Sequence, residues 1–520
     1  MQKRVILPFL FVLFLFTCAL ITYRGILHFS FWKDDWILLW NGLYHPELFM
    51  GKWLHPATNI EFILLSRWFG KNPLLWHLFG IMLRSAAAGS VALMINKITK
   101  SVATGILSGM LFATSAIGLD AVGWPSAHVV LVALSFLCLG FSFFIDCVHK
   151  PSGRILILFV LWTSVGILAD PWRALPVVFL FWLFIALFGS TRLVSFMRTM
   201  QIPSLVVLAI VVILFSLWHR EVIWGTRLAI FLSHQWQHPL VVFGKMVLVN
   251  TYSNSLFNLV TGWILVLAED GSTGVYNRVN ALTGGIGLVT VTVWSLVGIK
   301  KRNKHARVVL FFVLWMLLFY LPNWLFEPAI TVGATHRYLV ISSVGFLGLI
   351  AYGATHMRPV FLAGLFTVCF IAANYLVVQQ RLAFASRYRS AGVVDTVWNT
   401  IDHSVASTNG VKIFMYTGQD PLVTYVLNLS GSAPFALRRN IDDPNVFPII
   451  TADTEKILYY LCTQHPIVSV FGKDVRLDTG IAISNVFAWN LTNDGVLTDM
   501  SLSERTRLRS VADQRGCSLR

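Results

Sequence analysis

The chain has 520 residues, 56% of them hydrophobic and only 12% charged, about half the charged share of an ordinary soluble protein, which excludes a soluble enzyme. Its mean hydropathy of +0.70 and its 14% of aromatic residues exclude a disordered or collagen-like chain. The net charge of +16 would indicate nucleic-acid binding in a soluble protein, so the positions of the charges decide what it means here.

The hydrophobic residues fall into runs long enough to cross a bilayer, which takes about 20 apolar residues in a helix. We predict roughly 11 spans. In chain order they lie near residues 5–22, 73–96, 101–119, 125–147, 153–169, 173–189, 202–218, 281–299, 306–322, 338–355 and 359–378. The first run is too long for a signal peptide and no small-x-small cleavage site follows it, so we interpret it as a signal anchor with a cytoplasmic N-terminus. The stretch 239–268, which polar residues interrupt at 250–254, is expected to re-enter the membrane or to lie in its outer interface.

The charges of this membrane part divide between the two faces. When the spans alternate from the N-terminal anchor, the basic residues of the loops collect on the cytoplasmic side, and no acidic residue lies in those loops. The other acids before residue 379 fall on the outer side, apart from Asp146 at the end of a span. This is the positive-inside rule, so the positive charge reports topology. Function is therefore expected among the few charges of the outer face.

The composition changes from residue 379 onward, where 14 basic residues stand against 13 acidic ones. Strand-like runs such as 411–416 alternate there with turn sequences such as 442–445. We predict a membrane domain over 1–378 and a small extracytoplasmic α/β domain over 379–520. Cys462 and Cys517 lie in the second domain, where an oxidising compartment allows them to pair; the paired and the free states both stay open.

The first external loop, residues 23–72, is long and aromatic and holds an adjacent pair of acids. Asp34 and Asp35 follow a span closely and lie between Trp32 and Trp36, where access of water is limited. Partial desolvation makes a carboxylate a better general base. The alternative is two interfacial acids beside an aromatic belt.

Two short external turns each hold one acid. Asp120 lies between the third and fourth spans and Asp170 between the fifth and sixth. Turns at the same membrane level bring such acids together, as an acid/base group or as oxygen ligands for a metal. The structural alternatives are a helix cap at Asp120 and an ion pair between Asp170 and Arg173.

Two arginines and two histidines complete the candidate set. Arg84 lies in the middle of the second span, where charge is expensive, so it either pairs with a loop acid or attracts an anionic substrate. Arg337 begins the penultimate span at the outer interface, where a guanidinium suits a phosphate or anchors the helix. His55 and His77 lie near this face; because no pair of histidines has HxxxH spacing, satisfied interfacial histidines are favoured over a zinc site.

Together these elements resemble the GT-C superfamily, polytopic glycosyltransferases that use polyprenyl-phosphate sugars and include protein O-mannosyltransferases and aminoarabinose transferases. The resemblance covers roughly residues 1–378. It is carried by Phe31-Trp32-Lys33-Asp34-Asp35-Trp36, by Phe69-Gly70-Lys71-Asn72-Pro73-Leu74-Leu75-Trp76-His77-Leu78, by Leu119-Asp120-Ala121-Val122-Gly123-Trp124 and by His336-Arg337-Tyr338-Leu339. The chain departs from the family pattern at Arg84, where relatives often show histidine, and at Asp170, where they show a Lys-Glu-like pair.

The resemblance implies an all-α polytopic membrane fold and the transfer of a sugar from polyprenyl phosphate to an acceptor hydroxyl at the outer face, with inversion at the anomeric carbon. Asp35 is the expected base, and Asp34 and Asp120 are the other candidate catalytic acids. The expected substrate-binding residues are Arg337, Arg84, Asp170, Trp36, His55, His77 and Tyr338. No cofactor is assigned; a divalent cation stays open, with unknown ligands.

The expected setting is a multi-pass plasma, inner or ER-like membrane. The expected partners are the lipid-linked donor, a glycan, lipid or protein acceptor and membrane lipids, but no nucleic acid. A transporter or flippase for a lipid-linked saccharide is one alternative, although it predicts inverted repeats and acids near the bilayer midplane. A non-catalytic envelope protein that binds glycolipid is the other.

Overall fold

The structure is a computed structural model, and it is mostly helical. It describes residues 2–49, 56–150, 152–189, 274–326, 336–405, 410–418, 423–470, 473–492, 496–517 and 519. The α-helices before residue 190 are α1 (Gln2–Tyr23), α2 (Asp35–Tyr44), α3 (Pro56–Phe69), α4 (Pro73–Thr99), α5 (Val102–Thr114), α6 (Asp120–Gly123), α7 (Val129–His149), α8 (Gly153–Ala169), α9 (Pro171–Ala174) and α10 (Val177–Phe188). Those after residue 273 are α11 (Gly274–Lys300), α12 (Lys304–Phe326), α13 (Ser343–His356), α14 (Val360–Arg389), α15 (Ala391–Ser404), α16 (Ala433–Arg438), α17 (Thr454–Cys462) and α18 (Ser501–Gln514).

Five of the described helical segments are long and apolar enough to cross a membrane. They are Leu10–His28, Pro73–Thr99, Pro125–His149, Lys304–Leu321 and Val360–Arg389. Shorter apolar helices occupy the predicted spans at 101–119, 153–169, 173–189 and 281–299. The predicted span at 202–218 and the stretch 239–268 lie outside the described residues, so the total of about 11 is not confirmed. The membrane character of the protein agrees with the sequence prediction.

The chain divides into two compact units. The first comprises residues 1–27, 52–60 and 77–382. Part of its core is aromatic: the ring of Phe141 lies 5.5–5.7 Å from those of Phe181, Phe311 and Trp315. Helices α7 and α8 approach so closely that a Cβ at Gly140 would lie 2.9 Å from the backbone nitrogen of Thr163. Small residues permit this kind of contact between apolar helices.

The second unit comprises residues 28–51, 61–76 and 383–520. Its strands are β1 (Ile413–Thr417), β2 (Ile449–Ile450), β3 (Ile467–Val470), β4 (Lys473–Arg476), β5 (Val486–Leu491) and β6 (Leu497–Asp499). Four of them form a sheet in the order β2-β1-β5-β6, with β1 parallel to β2 and β5 and with β6 antiparallel to β5, while β3 and β4 pair as an antiparallel hairpin. The small C-terminal sheet region of the predicted fold is therefore present.

Alternate residues of the sheet enter two apolar cores, as the period of a strand requires. Phe414 and Trp489 belong to one core, which also contains residues of α2, α15 and α16. Ile413 and Val486 belong to the other, which contains residues of α17 and α18. Cys462 and Cys517 form a disulfide beside this second core, with their Cα atoms 5.8 Å apart. The boundary at residue 379 stays a prediction, and the unit that contains the tail also includes parts of the first external loop.

Candidate functional site

The acid pair of the first external loop begins α2, and its two members differ in exposure. Asp34 is exposed and Asp35 is fully buried. One carboxylate oxygen of Asp35, Oδ2, accepts the backbone N–H of Trp32 at 2.9 Å. Lys33 adopts a left-handed backbone conformation, with φ of 50°, and makes this tight turn. The negative charge at the first turn of α2 is also favoured by the helix dipole.

A buried arginine packs against the acid loop, which we define as residues 29–36. Arg389, the last residue of α14, is only 7% exposed. Its Cζ lies 4.9 Å from the ring centroid of Trp32 and 5.0 Å from that of Phe29. Its carbonyl accepts the backbone N–H of Ser30 at 2.7 Å. Arg389 therefore holds the tryptophan whose N–H binds Asp35.

Trp36, a candidate substrate-binding residue, is 8% exposed and lies in the core of the second unit. Its ring meets that of Phe31 edge-on, 5.2 Å away. Further along α2, the indole N–H of Trp40 donates to the carbonyl of Ile441 at 2.7 Å. The ammonium of Lys71 donates to the carboxamide oxygen of Asn440 at 2.7 Å, and burial lowers the pKa of Lys71. The first external loop is thus fastened to residues more than 360 positions later in the sequence.

The first unit contains an arginine–aromatic cluster made of Trp124, Asp170, Arg173, Arg337 and Tyr338. Asp170 is fully buried and pairs with Arg173, three residues later. The Cζ of Arg173 lies 4.2 Å from the ring centroid of Tyr338. That of Arg337 lies 4.1 Å from the ring centroid of Trp124 and 5.5 Å from Tyr338. Two guanidinium groups therefore flank one tyrosine. Of these two arginines, Arg173 is the one that pairs with a carboxylate in the part of the chain that the structure describes.

The turn that carries Asp120 packs against the segment that carries Arg337. Asp120 is half-buried and opens α6. Two residues earlier, Gly118 has φ of 74°, and a Cβ there would lie 2.3 Å from a side-chain methyl of Val340. Only glycine satisfies both the conformation and the contact. This fixes Asp120 in the same unit as Arg337 without a direct bond between them in the described structure.

Arg84 is fully buried and binds backbone carbonyls. Its Nε donates to Phe112 at 3.0 Å, and its Nη2 donates to Ser115 at 3.2 Å and to Ile117 at 3.0 Å. The guanidinium also lies 3.9 Å from the ring centroid of Phe112. No carboxylate among the described residues pairs with it. Its observed contacts are therefore those of a group that shapes the turn before Asp120.

The remaining predictions concern two candidate binding residues, His55 and His77, and a possible metal site. His77 is fully buried in α4, and His55 lies outside the described residues. Within the part of the chain that the structure describes, no group of three or more His, Cys, Asp or Glu side chains is arranged to hold a metal ion.

The structure brings Asp170, Arg337 and Tyr338 together in one unit, and Asp34, Asp35 and Trp36 in one helix and its preceding turn. The ion pair between Asp170 and Arg173, which the sequence analysis gave as the structural alternative, is present. Arg389, which contacts the acid loop, was not selected from the sequence. No sequence feature near Arg389 predicted its contact with the acid loop.

No family model and no curated protein matches the chain. Three solved structures of the Archaeoglobus fulgidus oligosaccharyltransferase are similar to it. The apo form shares 10% identity at a TM-score of 0.46, over 88% of this chain and 67% of that one. The archaeal oligosaccharyltransferase AglB in complex with an inhibitory peptide and a dolichol-phosphate shares 11% at 0.44, over 86% and 65%. A form tethered to an acceptor peptide with an NVT sequon shares 10% at 0.44, over 89% and 67%.

The chain therefore spans about two thirds of the length of these proteins.

Proposed function

We propose that this protein is a membrane glycosyltransferase that moves a sugar from a polyprenyl-phosphate donor to an acceptor hydroxyl. The observation that carries the proposal is the arginine–aromatic cluster of the first unit. The ring of Trp124 holds the guanidinium of Arg337 by its face, and the N–H edge of a guanidinium held in this way suits the oxygens of an anion. Asp170 balances one of the two charges. The remaining positive charge suits the phosphate of the donor.

The proposed reaction is a direct displacement at the anomeric carbon. The acceptor oxygen forms a bond to that carbon as the bond between carbon and phosphate oxygen breaks, so the configuration inverts. Asp35 takes the proton of the acceptor hydroxyl, because a carboxylate held by a backbone N–H away from bulk water is a well-placed base. Arg337 stabilises the charge that grows on the departing polyprenyl phosphate, with Arg173 beside it.

The other candidate residues have supporting roles in this proposal. Asp120 contacts the acceptor or the sugar, and Tyr338 orients both arginines. Arg84 acts indirectly by fixing the turn before Asp120. The proposed reaction assigns no ligands to a divalent cation, whose participation stays open.

The test is a transfer assay with the full-length protein in liposomes, using tritiated polyprenyl-phosphate mannose first and the glucose donor next, with membrane extracts as acceptors. We expect wild type to transfer label and Asp35→Asn to lose about 10²- to 10⁴-fold in rate, the range for a general base. Asp34→Asn is the matched control, since Asp34 is exposed, and it should lose much less. Full transfer by Asp35→Asn would exclude the assigned base, and donor binding without transfer by wild type would favour a binding or transport protein.

A further inference from the structure

Two histidines from different helices meet at one end of the first unit. His305 lies in the first turn of α12 and His356 is the last residue of α13. Their ring centroids are 5.1 Å apart, with the planes inclined at 76°. Both side chains are exposed. We call them the histidine pair; neither has a role in the proposed reaction.

One tyrosine fixes both rings. The phenol oxygen of Tyr352 lies 2.6 Å from Nδ1 of His305, and the backbone carbonyl of Tyr352 accepts from Nδ1 of His356 at 2.8 Å. Each ring is therefore held at the same atom, Nδ1. Among the described residues, no hydrogen-bond partner occupies Nε2 of either ring. The pair presents two ordered nitrogen atoms on an exposed surface.

The surroundings of the histidine pair are basic without any acidic counterpart. The basic residues of the adjoining turns and helix ends are Lys300, Lys301, Arg302, Lys304, Arg307 and Arg358. No Asp or Glu occurs in residues 271–326 or 336–394. Asp146, which the sequence assigns to the same membrane face, pairs with Lys97. Within the described structure, the counter-charge for these six cations is not supplied by the protein.

The position along the helices places this cluster at the edge of a membrane. Two of the candidate spans, Lys304–Leu321 and Val360–Arg389, begin in the turns that hold the basic residues. The ends of spanning helices lie at the level of the lipid headgroups. Basic pockets between such helices bind anionic headgroups.

We propose that the histidine pair, with Lys304 and Arg358, binds a phosphate group that carries net negative charge, as in an anionic phospholipid headgroup. The phosphate oxygens accept from Nε2–H of His305, whose Nδ1 can accept the phenol O–H of Tyr352, and from the ammonium of Lys304 and the guanidinium of Arg358, which are strong charge-assisted donors. His356 also donates through Nε2 in its imidazolium form, because its Nδ1–H is already given to the carbonyl of Tyr352. Free phosphate has the same chemistry and is the alternative source. The site is independent of the proposed transfer reaction.

The test measures lipid binding to the full-length purified protein by native mass spectrometry, during titration with phosphatidylglycerol and with phosphatidylcholine. We expect wild type to prefer phosphatidylglycerol and the double variant His305→Gln/His356→Gln to lose about tenfold or more of that affinity, as for a lost hydrogen bond to a charged group. The control is His403→Gln/His465→Gln, which removes two exposed histidines of the second unit. Arg358→Gln, tested alone, should weaken binding in the same direction.

The outcomes separate the possibilities. Unchanged phosphatidylglycerol affinity in the His305→Gln/His356→Gln variant would overturn the site, and so would equal wild-type affinity for the two lipids. Competition with an excess of inorganic phosphate then shows whether the bound phosphate group comes from a lipid headgroup or from the free anion. Displacement of the lipid assigns the site to the free anion, and retention of the lipid assigns it to the headgroup. Both of these results support the site.

Discussion

The two units hold their charged groups in different ways. In the first unit, arginines are held by aromatic rings and backbone carbonyls, as with Arg337 on Trp124 and Arg84 on the 112–117 turn. In the second, the fully buried candidate is an acid, Asp35, which accepts a backbone N–H, and this unit also has a buried arginine, Arg389, on the rings of Trp32 and Phe29. In the proposed reaction the phosphate-binding residues belong to the first unit and the base belongs to the second, so variants in each unit should damage different steps.

Among the variants that test this difference between the units, we expect the largest loss of activity on replacing Arg337. Replacing it by glutamine removes a charge-assisted donor to the leaving phosphate, and we expect about 10²- to 10³-fold loss of kcat/KM for the donor, as when an oxyanion donor is removed. Donor binding, measured with radiolabelled polyprenyl-phosphate mannose, should weaken as well. Asp35→Asn should leave that binding unchanged.

The control at this position is Arg337→Lys, which keeps the charge but not the planar fork. It should recover part of the loss, because lysine binds phosphate as a point charge. If Arg337→Gln binds the donor as tightly as wild type, the cluster does not recognise phosphate and the contrast between the units disappears.

A smaller effect is expected at Arg389, which touches Trp32 rather than the acid itself. Arg389→Met keeps most of the side-chain volume but removes the cation–π contacts, each worth roughly 0.5–2 kcal/mol. We expect about a tenfold fall in transfer, through kcat rather than donor KM, since the acid loop loses its fixed position. Arg389→Lys should restore activity in part. A rise in donor KM with unchanged kcat would show that Arg389 acts on the donor instead.

The next effect concerns the stability of the second unit. Trp40→Phe removes the bond from the indole to the carbonyl of Ile441 and should cost about 0.5–1.5 kcal/mol, because a partly buried acceptor loses its donor. Hydrogen exchange of residues 437–442 should then accelerate. Trp36→Phe is the control, because it replaces another buried indole of the same helix, 8% exposed against 0% for Trp40. Equal acceleration in the two variants would contradict a specific role for the bond.

Local pattern predicted the positions of most of the described apolar helices, because it records where apolar runs begin and end. The predicted span 153–169 is α8, which begins after the cap residue Ser152 and ends before Asp170 and Pro171. The sequence did not show that Trp40 would reach Ile441, 401 positions away. Contacts between distant segments depend on tertiary packing, which has no local period.

Two predicted spans are shorter in the structure for one physical reason. The run 101–119 is helical only to Thr114, and the carbonyls of Phe112, Ser115 and Ile117 accept from Arg84. The run 338–355 becomes α-helical only at Ser343, and the indole of Trp315 binds the carbonyl of Ile341. Side chains from other helices thus take carbonyls that a continuous helix would use. Both departures adjoin residues of the candidate site, Asp120 and Arg337.

The smallest expected effect is a pH dependence of the stability of the second unit, which comes from His45. In the second unit, Nδ1 of His45 lies 2.7 Å from the carboxylate of Glu47 and Nε2 lies 2.5 Å from the carbonyl of Asp442. Both of these oxygens can only accept hydrogen bonds, so the imidazole must carry a proton on each nitrogen to donate to both. Burial opposes this charge, but the hydrogen bonds to Asp442 and Glu47 outweigh it and raise the pKa of His45.

A raised pKa in the folded state means that protonated His45 stabilises the fold fully below its unfolded pKa, and that this contribution is lost as the pH rises through the folded pKa. Hydrogen exchange at 441–442 should therefore be slower at pH 5.5 than at pH 8.5 in wild type, after correction for intrinsic exchange. His45→Gln should remove the difference, and Glu47→Gln should reduce it. The effect is small because Glu47 is largely exposed and solvent screens the pair. A pH difference that persists in His45→Gln would assign the titration to another group.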